Sequence, residues 1–167
     1  IVGRFMYADN FYIALYDAER GVIVRHAAVH LGVATQTPDG LKVPVVRNAE
    51  QHGVWSLATA IRDAAERART NKSPREELAG STITITSLGK LGGIVSTPVI
   101  NAPEVAIVGV NKAVDRPTVV GGAIAIRKMM NLSSSFDHRF VDGYDAAAMI
   151  QALKDRLEHP ATIFMPA

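Results

Sequence analysis

The sequence predicts an α/β (α+β) domain, and three observations carry that reading. Residues 54–68 and 145–158 repeat apolar side chains at helical spacing. Short β-branched or apolar runs lie around them, residues 82–86 and 105–110 among them. Turn signals separate the segments. The plainest is Thr37-Pro38-Asp39-Gly40, where proline fixes φ and the Asp-Gly pair tolerates positive φ.

In chain order, residues 29–34 and 41–46 read as two strands on either side of that turn. Val54, Leu57, Ala58, Ile61, Ala64, Ala65 and Ala68 then line one face of a helix of about four turns, with Arg62, Glu66, Arg67 and Arg69 among them. Ser73-Pro74-Arg75-Glu76 has the form of a capping box with proline in the first helical position, opening a short helix that ends near Gly80. Residues 82–86 (Thr-Ile-Thr-Ile-Thr) alternate as a half-buried strand does, and Ser87-Leu88-Gly89-Lys90-Leu91-Gly92-Gly93 follows as a glycine-rich turn. Pro98 and Pro103 bracket the connection to a continuous apolar run at 105–110, short enough for a buried strand. Residues 123–127 and 129–134 read as further strands. The last helix turns Ala146, Met149, Ile150, Leu153 and Leu157 inward and carries Asp145 near its positive end. No internal repeat, low-complexity segment or domain boundary interrupts this series, so residues 1–167 read as a single domain.

Composition excludes several classes. A chain of 167 residues with 48% hydrophobic and 20% charged residues can bury a sizeable core and does not read as disordered. Its net charge is only +2, with no dense Lys/Arg tract, which gives no nucleic-acid footprint. Zero cysteines exclude disulfides, thiolate metal sites and a cysteine nucleophile, and suit a reducing compartment. No apolar run approaches the roughly 20 residues of a membrane helix, and the N-terminus lacks a signal-peptide layout. A soluble intracellular protein without membrane partners is the expectation.

The chemistry concentrates in Ser133-Ser134-Ser135-Phe136-Asp137-His138-Arg139-Phe140-Val141-Asp142-Gly143. This stretch places His138 and Asp142 four apart, between a strand and a helix. A histidine there serves either as a general base, its ordinary pKa of about 6.5 suiting proton transfer near neutrality, or as a polar residue of a loop. Other motifs are weaker. The glycine-rich turn after Thr86 matches neither common phosphate-binding spacing, but it allows close backbone approach to a long thin ligand. His26 and His30 have helical metal-ligand spacing without a carboxylate or cysteine to complete a set, so no metal site is expected. Ser133, Ser134 and Ser135 lack the Gly-x-Ser-x-Gly frame of a nucleophile, and His52 and His159 carry no motif.

Asp137-His138-Arg139-Phe140-Val141-Asp142-Gly143 resembles the Asp-His-Arg-x-x-Asp-Gly signature of dihydrolipoamide acyltransferases, the core enzymes of 2-oxo acid dehydrogenase complexes. The segments 37–45, 85–89 and 101–107 agree in order, and 93–99 and 130–136 are similar to the bacterial branched-chain type. The resemblance implies a chloramphenicol acetyltransferase-like two-layer fold, a mixed sheet with flanking helices. It also implies a homotrimer with the active site between subunits, assembled into a cubic or dodecahedral core with decarboxylase and dihydrolipoamide dehydrogenase components. The implied reaction passes an acyl group, branched-chain in this type, between dihydrolipoyl-lysine on a separate lipoyl domain and coenzyme A, with no metal. His138 would be the base that deprotonates the attacking thiol. Thr86 stands where the family often places a serine that donates to the oxyanion, and Ser87 is the fallback donor. Thr86, Ser87 and Gly89 would line the coenzyme A and thiol channel. Asp142 would hold local geometry through an ion pair, and Arg139 would be a scaffold residue paired with a carboxylate. The compartment implied is the bacterial cytoplasm or the mitochondrial matrix.

Residues 1–4 are similar to the start of the family's catalytic domain, and Tyr16-Asp17 to a point many residues further in. The expectation is therefore a single catalytic domain, incomplete in its N-terminal part, without lipoyl or subunit-binding domains. Two alternatives stand beside the branched-chain enzyme: a catalytically impaired structural core, and an acetyl-specific dihydrolipoamide acetyltransferase. A chloramphenicol-type acetyltransferase is a third, opposed by the Asp-His-Arg form.

Overall fold

A mixed sheet organises residues 13–164, the part of the chain that the computed structural model describes. The expectation on residues 1–4 lies outside the described residues. The strands are β1 (Ile13–Asp17), β2 (Val22–His26), β3 (Leu31–Thr37), β4 (Gly40–Lys42), β5 (Val45–Val46), β6 (Ile83–Thr86), β7 (Ala106–Val110), β8 (Val114–Val120), β9 (Ala123–Met129) and β10 (Leu132–Phe136). Helix α1 (Val54–Arg69) follows β5, and α2 (Gly143–Glu158) follows β10. The main sheet runs β10-β7-β6-β3-β4, with β5 also on β3. β3, β6 and β7 are parallel, while β4, β5 and β10 pair antiparallel to their neighbours. The hairpins β1–β2 and β8–β9 stand outside this sheet.

The helix over 54–68 forms because its small apolar stripe faces the sheet. Ala64, Ala65 and Ala68 are buried, and Ala64 joins Ile13, Val29, Leu31, Val46, Ala49 and Ile83 in the core. Ala58, read as part of that stripe, is exposed. Alanines there let the helix axis approach β3 closely, and Asn71 ends it in a left-handed conformation. Gly32 serves the same close packing inside the sheet, since a Cβ at that position would lie 2.5 Å from Thr84 Oγ1.

The sheet is tied to the segment before β7 by a buried carboxylate that sequence reasoning passed over. Glu104 is 3% exposed and accepts from Thr84 Oγ1 at 2.7 Å, from Asn101 Nδ2 at 3.1 Å and from Ser81 Oγ. Leu15 of β1 bridges to Glu104, and the Tyr16 amide donates to the Pro103 carbonyl at 2.9 Å.

Several expectations need correction. The strand read over 41–46 is interrupted at Val43-Pro44, where the Pro44 carbonyl still accepts from the Val33 amide, so β4 and β5 lie on one edge of β3. The strands read at 123–127 and 129–134 break at Met130-Asn131 instead of Lys128. β1, β2 and β8 were not anticipated. Ser73 caps no helix: residues Arg75–Leu78 form a 3-10 turn, and Arg47 closes its end by donating to the carbonyls of Glu76, Ala79 and Gly80. In α2, Leu157 is 52% exposed instead of turned inward, and Met149 packs at the core's edge.

Candidate functional site

The turn carrying His138 grows directly out of β10. The Asp137 amide donates to the Val105 carbonyl at 2.9 Å, extending the ladder by one residue. The Asp137 carbonyl then accepts the amides of Phe140 and Val141, both at 3.0 Å, and its Oδ1 accepts the Arg139 amide at 3.1 Å. An Asp can close such a turn with its own side chain. His138 sits at the apex, exposed.

Arg139 folds back along the turn. Its Nη2 lies 2.6 Å from Asp137 Oδ2 and its Nε 3.0 Å from Oδ1, the paired-carboxylate role read from the sequence. The hydrogen bonds from that guanidinium hold the Asp137 carboxyl below its usual range, so it is ionised at neutral pH. The same guanidinium lies over two rings, 4.6 Å from the centroid of Tyr16 and 5.1 Å from that of Phe140.

Asp142 corrects one expectation. It makes no ion pair among the described residues and instead caps α2, its Oδ1 accepting the amides of Tyr144 and Asp145 at 3.0 Å each. The helix therefore begins at Gly143, earlier than the apolar spacing indicated, because the cap and not the stripe defines its start.

Thr86 closes β6 and is half-buried. Beyond it the chain enters the glycine-rich turn, where Ser87 Oγ accepts the Gly89 amide at 3.2 Å and Gly89 takes φ 53°. A 3-10 turn over Gly89–Leu91 follows, presenting Leu88 and Leu91 at 67% and 95% exposure. One protomer does not bring this hydroxyl to His138. Thr86 is level with Gly109, and Gly109 with Ser133, whereas Asp137 is level with Val105. The offset is roughly 13 Å along the strands and roughly 10 Å across them, beyond the reach of the two side chains.

The remaining candidates have structural partners. Ser133 Oγ accepts the Ser96 amide at 3.1 Å and Asn111 Nδ2 at 2.8 Å, and Ser135 Oγ donates to the Pro98 carbonyl at 2.6 Å. These serines stitch the 94–98 segment to β10. His30 Nδ1 accepts the Asn48 amide at 3.2 Å, and burial, with Arg47 nearby, pushes its pKa down. His159 ends α2 with Nδ1 3.1 Å from the Asp155 carbonyl oxygen, and His52 lies at the end of the 3-10 turn Ala49–Gln51. Among the described residues no cluster of three metal-ligating side chains occurs, and no helix is long and apolar enough to cross a membrane.

Comparison with known proteins places this geometry. The model of the 2-oxoacid dehydrogenases acyltransferase (catalytic domain) family matches residues 10–165. The lipoamide acyltransferase component of the branched-chain alpha-keto acid dehydrogenase complex of Pseudomonas aeruginosa is 64% identical over 152 residues. Those residues are 91% of this chain, which spans 36% of that relative's length. The acetyltransferase component of the pyruvate dehydrogenase complex of Azotobacter vinelandii is 45% identical over 135 residues, 81% of this chain and 21% of that protein. Among solved structures, the cubic core of a pyruvate dehydrogenase multienzyme complex matches with a TM-score of 0.90 at 38% identity, over 98% of this chain and 67% of that one. The Azotobacter vinelandii dihydrolipoamide acetyltransferase, studied for the catalytic roles of a serine, a histidine and an asparagine, matches with a TM-score of 0.86 at 41% identity, over 92% and 63%. A chloramphenicol acetyltransferase, 15% identical with a TM-score of 0.51 over 92% of this chain and 74% of that one, shares the fold alone.

Proposed function

This chain belongs to the 2-oxoacid dehydrogenase acyltransferase family (catalytic domain), and from that premise we propose that it moves an acyl group between dihydrolipoyl-lysine and coenzyme A in the core of a 2-oxo acid dehydrogenase complex. The observation that carries the proposal is the placement of His138. It sits at the apex of a turn fixed on both sides, and its sequence spacings to Thr86 and Asp142 equal those of the histidine to the serine and asparagine studied in the Azotobacter relative. The branched-chain acyl class is supported by the contrast of 64% against 45% identity.

In this reading His138 takes the proton from the attacking thiol. A free thiol has a pKa of about 8.5, so most of it is protonated at pH 7 and a base helps. The thiolate forms a bond to the thioester carbonyl carbon, and the carbonyl electron pair moves to oxygen. The hydroxyl of Thr86 donates to that oxyanion, a role in which loss of one donor costs about 10² to 10³ in rate. Collapse re-forms the carbonyl, breaks the other carbon–sulfur bond, and the departing thiolate regains its proton from His138. No covalent acyl-enzyme forms. Asp142 acts by capping α2 and so fixing the end of the turn, which an asparagine also does, in keeping with that residue in the relative.

The offset between Thr86 and His138 supports a site shared by two copies, His138 from one and Thr86 from the next. A homotrimer repeats that contact in a closed ring. Coenzyme A and the lipoyl arm, carried by a separate lipoyl domain, would reach the thiol-transfer point past Ser87 and Gly89. Trimers would build a cubic or dodecahedral core serving decarboxylase and dihydrolipoamide dehydrogenase components, in the bacterial cytoplasm or mitochondrial matrix.

The test is acyl transfer from a branched-chain acyl-coenzyme A to dihydrolipoamide, wild type against His138→Ala. The expected loss is about 10² to 10⁴ in kcat. A His138→Ala protein as active as wild type would contradict the proposal, and a wild-type assembly without turnover would leave a structural core.

A further inference from the structure

His138 is exposed, and the bonds that hold its turn run through the residues on either side of it. Asp137 is locked into the ladder with β7. Arg139 is held in its own plane by Asp137, and its two faces are left for other contacts. One ring that covers the guanidinium comes from far upstream: Tyr16 in β1, 4.6 Å from the guanidinium carbon and 4.9 Å from the Phe140 ring. Tyr16 is itself seated on the lead-in to β7, its amide bonded to the Pro103 carbonyl. The turn is thus gripped from a second element anchored to the neighbouring strand.

We infer that Tyr16 is a positioning residue for His138, its ring seating Arg139 and Phe140 and so fixing the apex of the turn. This rests on the reading of His138 as the general base. A flat aromatic face suits a flat cation whose in-plane donors are already occupied by a carboxylate. The Arg139 side chain is 63% exposed, and without the ring it keeps only its Asp137 pair and the local Phe140 face, so no other element then holds the turn from outside. A base misplaced by about 1 Å costs on the order of 10²-fold in rate, while substrate binding is little affected.

The experiment compares Tyr16→Leu, Tyr16→Phe and His138→Ala in the purified protein. Each is assayed for kcat and for the KM of coenzyme A and dihydrolipoamide, alongside thermal melting. Tyr16→Leu is expected to lower kcat by about tenfold or more with both KM values within about twofold, and Tyr16→Phe to recover most of that loss, since it restores the ring face. Wild-type kcat in Tyr16→Leu, or a Tyr16→Phe protein as impaired as Tyr16→Leu, would overturn the inference. If His138→Ala kept full activity the general-base reading would fall first; if it were inactive while Tyr16→Leu stayed fully active, only the role of Tyr16 would fall. Should Tyr16→Leu not fold, Tyr16→Met removes the same ring face while leaving the Asp137–Arg139 pair intact. A kcat-specific loss there supports the inference, and an unchanged kcat refutes it.

Discussion

Asp142 and His138 stand four positions apart and do different physical work. Asp142 satisfies two of the orphan amides at the start of α2. Asparagine caps a helix about as well, whereas alanine leaves those amides to water. Asp142→Asn should therefore melt within a degree or two of wild type, while Asp142→Ala should lose about 1 kcal/mol of stability. A thermal melt of the two variants distinguishes a cap from a buried charge, because a buried charge would make the Asn variant fall with the Ala one. Of the local parts of this site, the pairing of Arg139 with a carboxylate was legible in the sequence. The Asp137 turn and the Asp142 cap were not read from it, although all three close within four residues. Tyr16 was not legible as a site residue, because its contact with Arg139 depends on how β1 docks beside β7.

At the scale of elements, periodicity found both helices and the strands β3, β6 and β7, whose side chains face a core or a helix. It missed β8, none of whose residues is buried, but also β1, whose Ile13 and Ala14 are buried, while it found the exposed β9. β8 contains Pro117, and among the described residues it pairs only with β9, a two-stranded ribbon that tolerates proline at its edge. The capping-box reading failed for a tertiary reason, since Arg47 reaches three carbonyls of that turn from another element. Packing at the sheet's centre gives the sharpest prediction. A methyl at Gly32 would meet Thr84 Oγ1 at 2.5 Å and Val43 Cγ1 at 2.9 Å, and Thr84 is held by Glu104. Gly32→Ala should cost about 1 to 3 kcal/mol in urea unfolding, as overpacking does. A neutral result would mean that β3 and β6 shift apart freely.

At the scale of the whole molecule, large apolar side chains are exposed on several elements, the β8–β9 ribbon and the loops before β7 among them. Val119, Ile124 and Ile126 of the β8–β9 ribbon are 71%, 80% and 75% exposed, and Leu91 and Val99 in the loops before β7 reach 95% and 85%. Apolar exposure of this kind fits a surface covered by further copies. The resemblance implied a site between subunits, but the residues alone showed neither that surface nor the separation of Thr86 from His138, because spacing along a chain does not report register across a sheet. The central claim is that the hydroxyl and the base of one site come from different copies. Mixing tests it most directly: His138→Ala and Thr86→Val proteins, each nearly inactive alone, are co-assembled and assayed for acyl transfer. Random assembly should restore about one quarter of wild-type activity, because about one site in four then receives an intact His138 and an intact Thr86. Co-assembled mixtures that stay as inactive as their components would contradict the shared site.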